Sequence, residues 1–177
     1  MKFLSALAAT TFLAAFACAG EVEMAGMKAK TPDGWKEEAP SSNMRLTQFK
    51  LPKAEGDSED AELIIFYFKG GSGSAEDNLK RQLAKFKPAE GKEKLDVKLE
   101  KIMVGKMEVP YQDITGNYQF KARPFDPAAK VTEKTNYRQL YVPITTEQGD
   151  YYPTLVGPAK TVEKHKKDFE SFLKSFK

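Results

Sequence analysis

Glu62-Leu63-Ile64-Ile65-Phe66-Tyr67-Phe68 is the stretch on which the fold turns. A strand alternates its side chains between two faces. Here Leu63, Ile65 and Tyr67 fall on one face, and Ile64, Phe66 and Phe68 on the other. Both sets are apolar, so the segment is predicted as a central strand covered on both sides. Polar turn residues bound it: Lys53 to Asp60 before, and Gly70-Gly71-Ser72-Gly73-Ser74 after.

The neighbouring segments supply what would cover such a strand. Upstream, Arg45 to Leu51 alternates and stops at Pro52, which predicts a half-buried strand. Further upstream, Thr31-Pro32-Asp33-Gly34 is a turn signal, preceded by a short strand over Val22 to Ala29 and followed by Trp35. Downstream, Ser74-Ala75-Glu76-Asp77 has the hydroxyl-x-x-acid form of a helix start. Leu79, Leu83 and Phe86 then recur at helical spacing, so Ala75 to Phe86 is predicted as an amphipathic helix.

Two hairpins and a second helix complete the pattern. Val97 to Val104 and Met107 to Lys121 flank a Gly105-Lys106 turn, and Pro110 and Gly116 make the second strand an edge or bulged one. Arg123 to Thr135 reads as a loop, and Tyr137 to Thr145 with Tyr151 to Val156 as a hairpin. After Gly157-Pro158, the stripe Val162, Phe169, Phe172, Leu173 and Phe176 marks a C-terminal helix, with Lys160, Lys164, Lys166 and Lys167 outside it. The order predicts an α+β fold: a mostly antiparallel sheet with an internal and a C-terminal helix packed on it. Residues 20–177 form a single domain by length.

Residues 1–19 read as a signal peptide. Lys2 precedes an uncharged, Ala-rich apolar run with Leu4, Leu7, Phe12, Leu13 and Phe16, and charge resumes at Glu21. Two processing routes follow. Ala15-Phe16-Ala17 or Ala17-Cys18-Ala19 suits ordinary signal peptidase. Ala14-Ala15-Phe16-Ala17-Cys18 resembles a lipobox, although Ala15 stands where Leu is usual, and cleavage before Cys18 would leave that residue to be lipidated. Either route implies an exported chain, periplasmic or extracellular, and the second a membrane attachment through acylated Cys18.

Composition removes several functions. The chain has 177 residues, 41% of them apolar, with a net charge of +3, one Cys and one His. That excludes a disordered chain, an internal disulfide and an all-Cys/His zinc site. The net charge is too small to indicate nucleic acid. No cofactor-binding motif is present: Gly70 to Ser74 lacks the Gly-Lys-Ser/Thr ending of a P-loop.

The mature chain resembles a family of small uncharacterised bacterial exported proteins in Pro32-Asp33-Gly34-Trp35-Lys36, Met44 to Pro52, Ala61 to Phe68, Asp113-Ile114-Thr115-Gly116 and Leu155-Val156-Gly157-Pro158. More remotely, the Gly34-Trp35 start, the segment Tyr151 to Val156 and the ending Phe169 to Phe176 are similar to PsbP-like domains. That resemblance implies an α/β/α sandwich and an accessory, non-enzymatic binding or assembly role.

No catalytic or metal-ligating set is legible. His165 lies on a helix with no Ser or Asp at readable spacing, and is expected to cover the core. Glu55, Asp57, Glu59, Asp60 and Glu62 crowd one turn without the spacing of a calcium loop. Arg and aromatic side chains dominate binding hot spots. Arg123, Phe125, Tyr137, Arg138 and Tyr141 are therefore the candidate partner-binding residues, with Trp35 and Tyr151-Tyr152 as weaker ones. The expectation is a non-enzymatic binding or assembly-accessory protein of the cell envelope, acting on an envelope protein. A small-ligand or lipid carrier is the alternative, and a hydrolase using two carboxylates the third.

Overall fold

The computed structural model describes residues 20–123, 126 and 128–177. Its elements are β1 (Glu21–Met24), β2 (Met27–Lys30), β3 (Lys36–Glu38), β4 (Arg45–Leu51), β5 (Ala61–Phe68), α1 (Ala75–Leu83), β6 (Phe86–Lys87), β7 (Asp96–Val104), β8 (Met107–Lys121), β9 (Val131–Tyr141), β10 (Ile144–Thr146), β11 (Gly149–Pro158) and α2 (Ala159–Lys174). The main sheet runs β3-β4-β5-β11-β9-β8-β6, with β10 added to β11 and β7 added to β8. Every pairing in it is antiparallel. The fold is the expected α+β sheet with two helices packed on it.

β5 lies between β4 and β11, as a strand apolar on both faces should. Leu63 and Ile65 are fully buried under α2, in a core shared with Phe49, Leu140, Leu155, Phe169 and Leu173. Trp35 closes this core, 5.3 Å from Phe172 and 5.9 Å from Phe49 between ring centroids. On the opposite face Phe86, Ile114 and Tyr137 form a second, smaller cluster.

Local chemistry sets the ends of the helices. The Ser74 hydroxyl accepts from the Asp77 N–H at 3.0 Å, which satisfies a free donor at the start of α1. Pro158 occupies the N-cap position of α2 and offers no side-chain cap. Asp57 substitutes from the β4–β5 turn, accepting the Thr161 N–H at 2.8 Å and its hydroxyl at 2.6 Å.

Five expectations need correction. Val22 to Ala29 is not one strand but the hairpin β1–β2, turned at Ala25 and Gly26, both with positive φ. α1 stops at Leu83, because Phe86 pairs with Tyr118 in β6. Its buried residues are Asn78 and Gln82, not the Leu79–Leu83 stripe, because the sheet beneath offers Gln139, Tyr141 and Tyr152. The loop after Arg123 is shorter than expected, since β9 starts at Val131 and continues the ladder with Lys121. The Tyr137 to Thr145 strand is two pieces, β9 and β10, separated by Val142-Pro143.

Both features assigned to Met107–Lys121 are present. A register shift falls at Gly116, where a Cβ would stand 2.5 Å from the Lys87 carbonyl oxygen. Pro110 sits where β8 has only β7 beside it, since pairing with β9 begins at Gln112.

Candidate functional site

The nominated residues that the structure describes do not assemble into one surface. Tyr137 and Tyr141 are on the α1 face of β9 and are 8% and 2% exposed. Tyr137 stacks on Tyr118 at 6.0 Å, and Tyr141 on Tyr152 at 5.7 Å. Arg138, between them in sequence, points to the α2 face. Arg123 is exposed and paired with Asp126 at 3.1 Å. Phe125 and Cys18 lie outside the described residues, as does the whole signal segment 1–19.

Arg138 is the centre of an ionic network beneath α2. Its guanidinium donates to both oxygens of Asp113, at 2.7 and 2.6 Å, and also to Glu163. The bond to Asp113 raises its already high pKa further. Lys166 donates to the Tyr111 hydroxyl at 2.8 Å and pairs with Glu170, while Asp113 lies 3.9 Å away. Burial, and then Glu170, push the Tyr111 phenol up, so it remains a neutral donor. Asp96, Lys98 and Thr115 continue this surface as a groove of about 200 Å³, open to solvent. Arg138 and Lys166 each face a carboxylate, and these pairs tie α2 to the sheet.

A second polar layer lies under α1. The Tyr152 hydroxyl is 2.6 Å from Ser72 Oγ, 3.0 Å from Asp150 and 3.1 Å from Asn78 Nδ2. Asp150 also accepts the Ser72 N–H at 2.8 Å, and Arg81 reaches the Asn78 side-chain oxygen. The Gly70–Ser74 segment is thereby pinned to β11. Burial pushes the Tyr141 and Tyr152 phenols up, which makes them hydrogen-bonding groups and not bases. At the end of α1, the half-buried Lys85 donates to Gln82 at 2.8 Å. Burial, and then Arg81, lower its ammonium to about 8.

Four of the five carboxylates of the acidic turn have structural work. Asp57 caps α2, Asp60 accepts the Lys53 N–H at 2.9 Å, Glu59 pairs with Lys134 at 2.7 Å, and Glu62 with Arg45 at 3.3 Å. His165 is 7% exposed, with Nε2 2.9 Å from the Pro52 carbonyl. A cleft of about 310 Å³ opens between the β1–β2 turn and Leu46, Tyr67 and Tyr151.

Sequence reasoning found the strand β7 but missed its exposed apolar edge. Its apolar residues change faces along the strand: Val97 and Leu99 have one parity, Ile102 and Val104 the other. Ile102 and Val104 are buried beneath α2. Val97, Leu99 and Met103 stand on the α1 face, where the nine-residue α1 does not reach, and are 38%, 62% and 41% exposed. Among the described residues β7 pairs only with β8, and its outer edge has no strand beside it. The parity switch was the signal that could have revealed this.

No family model and no curated protein matches the chain. Among solved structures it is similar to cyanobacterial PsbP (CyanoP) from Synechocystis sp. PCC 6803, with 14% identity over 96% of this chain and 97% of that one, at a TM-score of 0.48. It is also similar to PA94 of Pseudomonas aeruginosa, a protein of unknown function, with 14% identity over 89% of this chain and 94% of that one, at a TM-score of 0.43. Likeness at this level carries no inference about activity or partner.

Proposed function

We propose that this protein is a non-catalytic binding or assembly domain of the cell envelope. Residues 1–19 would export it, and an acylated Cys18 would hold it at a membrane. The observation that carries the binding role is the open edge of β7, a nine-residue strand with three large apolar side chains exposed beside it. An unpaired strand edge offers backbone donors and acceptors to another chain. Exposed apolar residues along it supply the burial that such an addition needs.

The placement of the ionisable groups supports the non-catalytic part. Around Arg138 and Tyr152, carboxylates face cations or hydrogen-bond donors, and the tyrosines are held protonated. A photoreactive residue at position 99 in the native envelope tests the binding role. Cross-linking to a polypeptide at Leu99, lost when Val97 is changed to Lys, is the expected result. Reaction with solvent alone would overturn it. Mass spectrometry of the mature N-terminus tests the anchor: an acyl-Cys18 supports it, and a free start near Gly20 removes it.

A further inference from the structure

We infer that the occupant of the β7 edge is a second copy of the same edge, paired antiparallel about a two-fold axis at Leu99. This rests on the binding role proposed for β7 and adds the identity of the partner.

The backbone is oriented for it. Val104 and Met107 close the two-residue turn at Gly105-Lys106, and the ladder with β8 continues without a register shift. Residues flanking such a turn exchange both of their hydrogen bonds. The even-numbered residues of β7 therefore bond to β8. The N–H and C=O groups of Val97, Leu99, Lys101 and Met103 point outward, available to another strand. Pro110 agrees with this parity, since its missing donor falls on the side of β8 away from β7.

Charge then selects the register. A two-fold axis normal to the sheet sets each residue opposite one of the same face, so the axis must pass through a residue. Centring on Lys98, Glu100 or Lys101 puts that charge against its own copy, which is destabilising. Centring on Ile102 leaves Glu100 opposite Val104 and Lys98 without a partner. Centring on Leu99 pairs residues 96–102 and sets Lys98 opposite Glu100 of the second copy, twice by symmetry. These are non-hydrogen-bonded positions, where side chains approach most closely. On the other face Leu99, 62% exposed in the single chain, meets its own copy, and Val97 lies against the aliphatic stem of Lys101. Centring on Val97 also sets Lys98 against Asp96 but pairs only residues 96–98, and centring on Met103 pairs only 102–104, so Leu99 is the longest register in which Lys98 meets a carboxylate.

The test is a charge exchange in the full chain, read by sedimentation across a concentration series, with circular dichroism to confirm folding. The wild type should dimerise as concentration rises. Lys98→Glu and Glu100→Lys each replace two attractive pairs by two repulsive ones, and each should weaken self-association by about tenfold or more. An equimolar mixture of the two variants recreates both attractive pairs, and should associate as a heterodimer at least as well as the wild type. A wild type that stays monomeric overturns the proposal. So does a mixture that fails to associate while the wild type dimerises, since that removes the register. If the wild type is monomeric yet the probe at position 99 cross-links to a different polypeptide, self-pairing fails and the binding role of β7 stands.

Discussion

The two faces of the sheet are held by different balances of apolar and polar contact. Under α2 the contacts are apolar and dense: Phe169, Leu173, Leu63, Ile65, Leu140 and Leu155 are all fully buried. Under α1 the helix presents Asn78 and Gln82 to a surface of tyrosine, glutamine and aspartate. Apolar burial stabilises in proportion to area and tolerates small displacements. A buried hydrogen-bonded layer contributes less net stability, but any group left unpaired is costly. The α2 face should therefore govern global stability, and the α1 face should govern local order.

Substitutions on each face separate these roles. Phe169→Ala should produce the largest loss, about 3–5 kcal/mol in urea unfolding, because it empties a fully enclosed site. Asp113→Ala should cost about 1–3 kcal/mol, since it removes both Asp113 bonds from the largely buried Arg138 guanidinium and leaves it Glu163 alone. The double change of Asp113 and Arg138 to apolar residues should recover most of that, and a double-mutant cycle measures the coupling. On the α1 face, Tyr152→Phe should cost about 1–2 kcal/mol. Its distinguishing mark is faster amide exchange confined to residues 72–83. Ser74→Ala should cost about 1 kcal/mol and fray the same helix. Equal losses from Phe169→Ala and Tyr152→Phe would erase the contrast between the faces.

The smallest effect is a pH dependence. Lys85 titrates at about 8 in the folded chain, and near 10.4 when unfolded. Between these values the unfolded chain holds more protons, so this group makes stability rise with pH across that window. Lys85→Met should flatten the rise, as followed by urea midpoints at successive pH values.

Much of this was legible in the sequence and some was not, for identifiable reasons. ELIIFYF specified a central strand because both parities are apolar, and the neighbouring segments supplied its partners and α2. The Ser74 cap and the Gly105-Lys106 turn depend on local chemistry and were readable for that reason. The buried face of α1 was not, because Leu79 and Leu83 satisfy helical periodicity wherever the helix sits. Its orientation is set by Tyr141 and Tyr152, which are distant in sequence. The candidate patch failed on parity: Tyr137, Arg138 and Tyr141 are neighbours along β9 but project to both faces of the sheet. The acidic turn looked like a cluster, and became four separate tethers to α2, β9, β4 and its own loop. The free edge of β7 depended on knowing that no other strand among the described residues pairs there.

The position of β11 has a kinetic consequence. Two meanders, β3-β4-β5 and β7-β8-β9, are each built from neighbours in the chain, and β11 alone joins them, pairing with β5 on one side and β9 on the other. Its residues meet β5 partners far earlier in sequence, as with Thr154 opposite Ile64. Loop closure of that length slows folding. Before β11 docks, β5 and β9 each have an open inner edge, and the apolar β5 is a template for intermolecular pairing. Refolding yield should therefore fall with protein concentration, and substitutions in β11 should change the final ordering step more than the initial collapse.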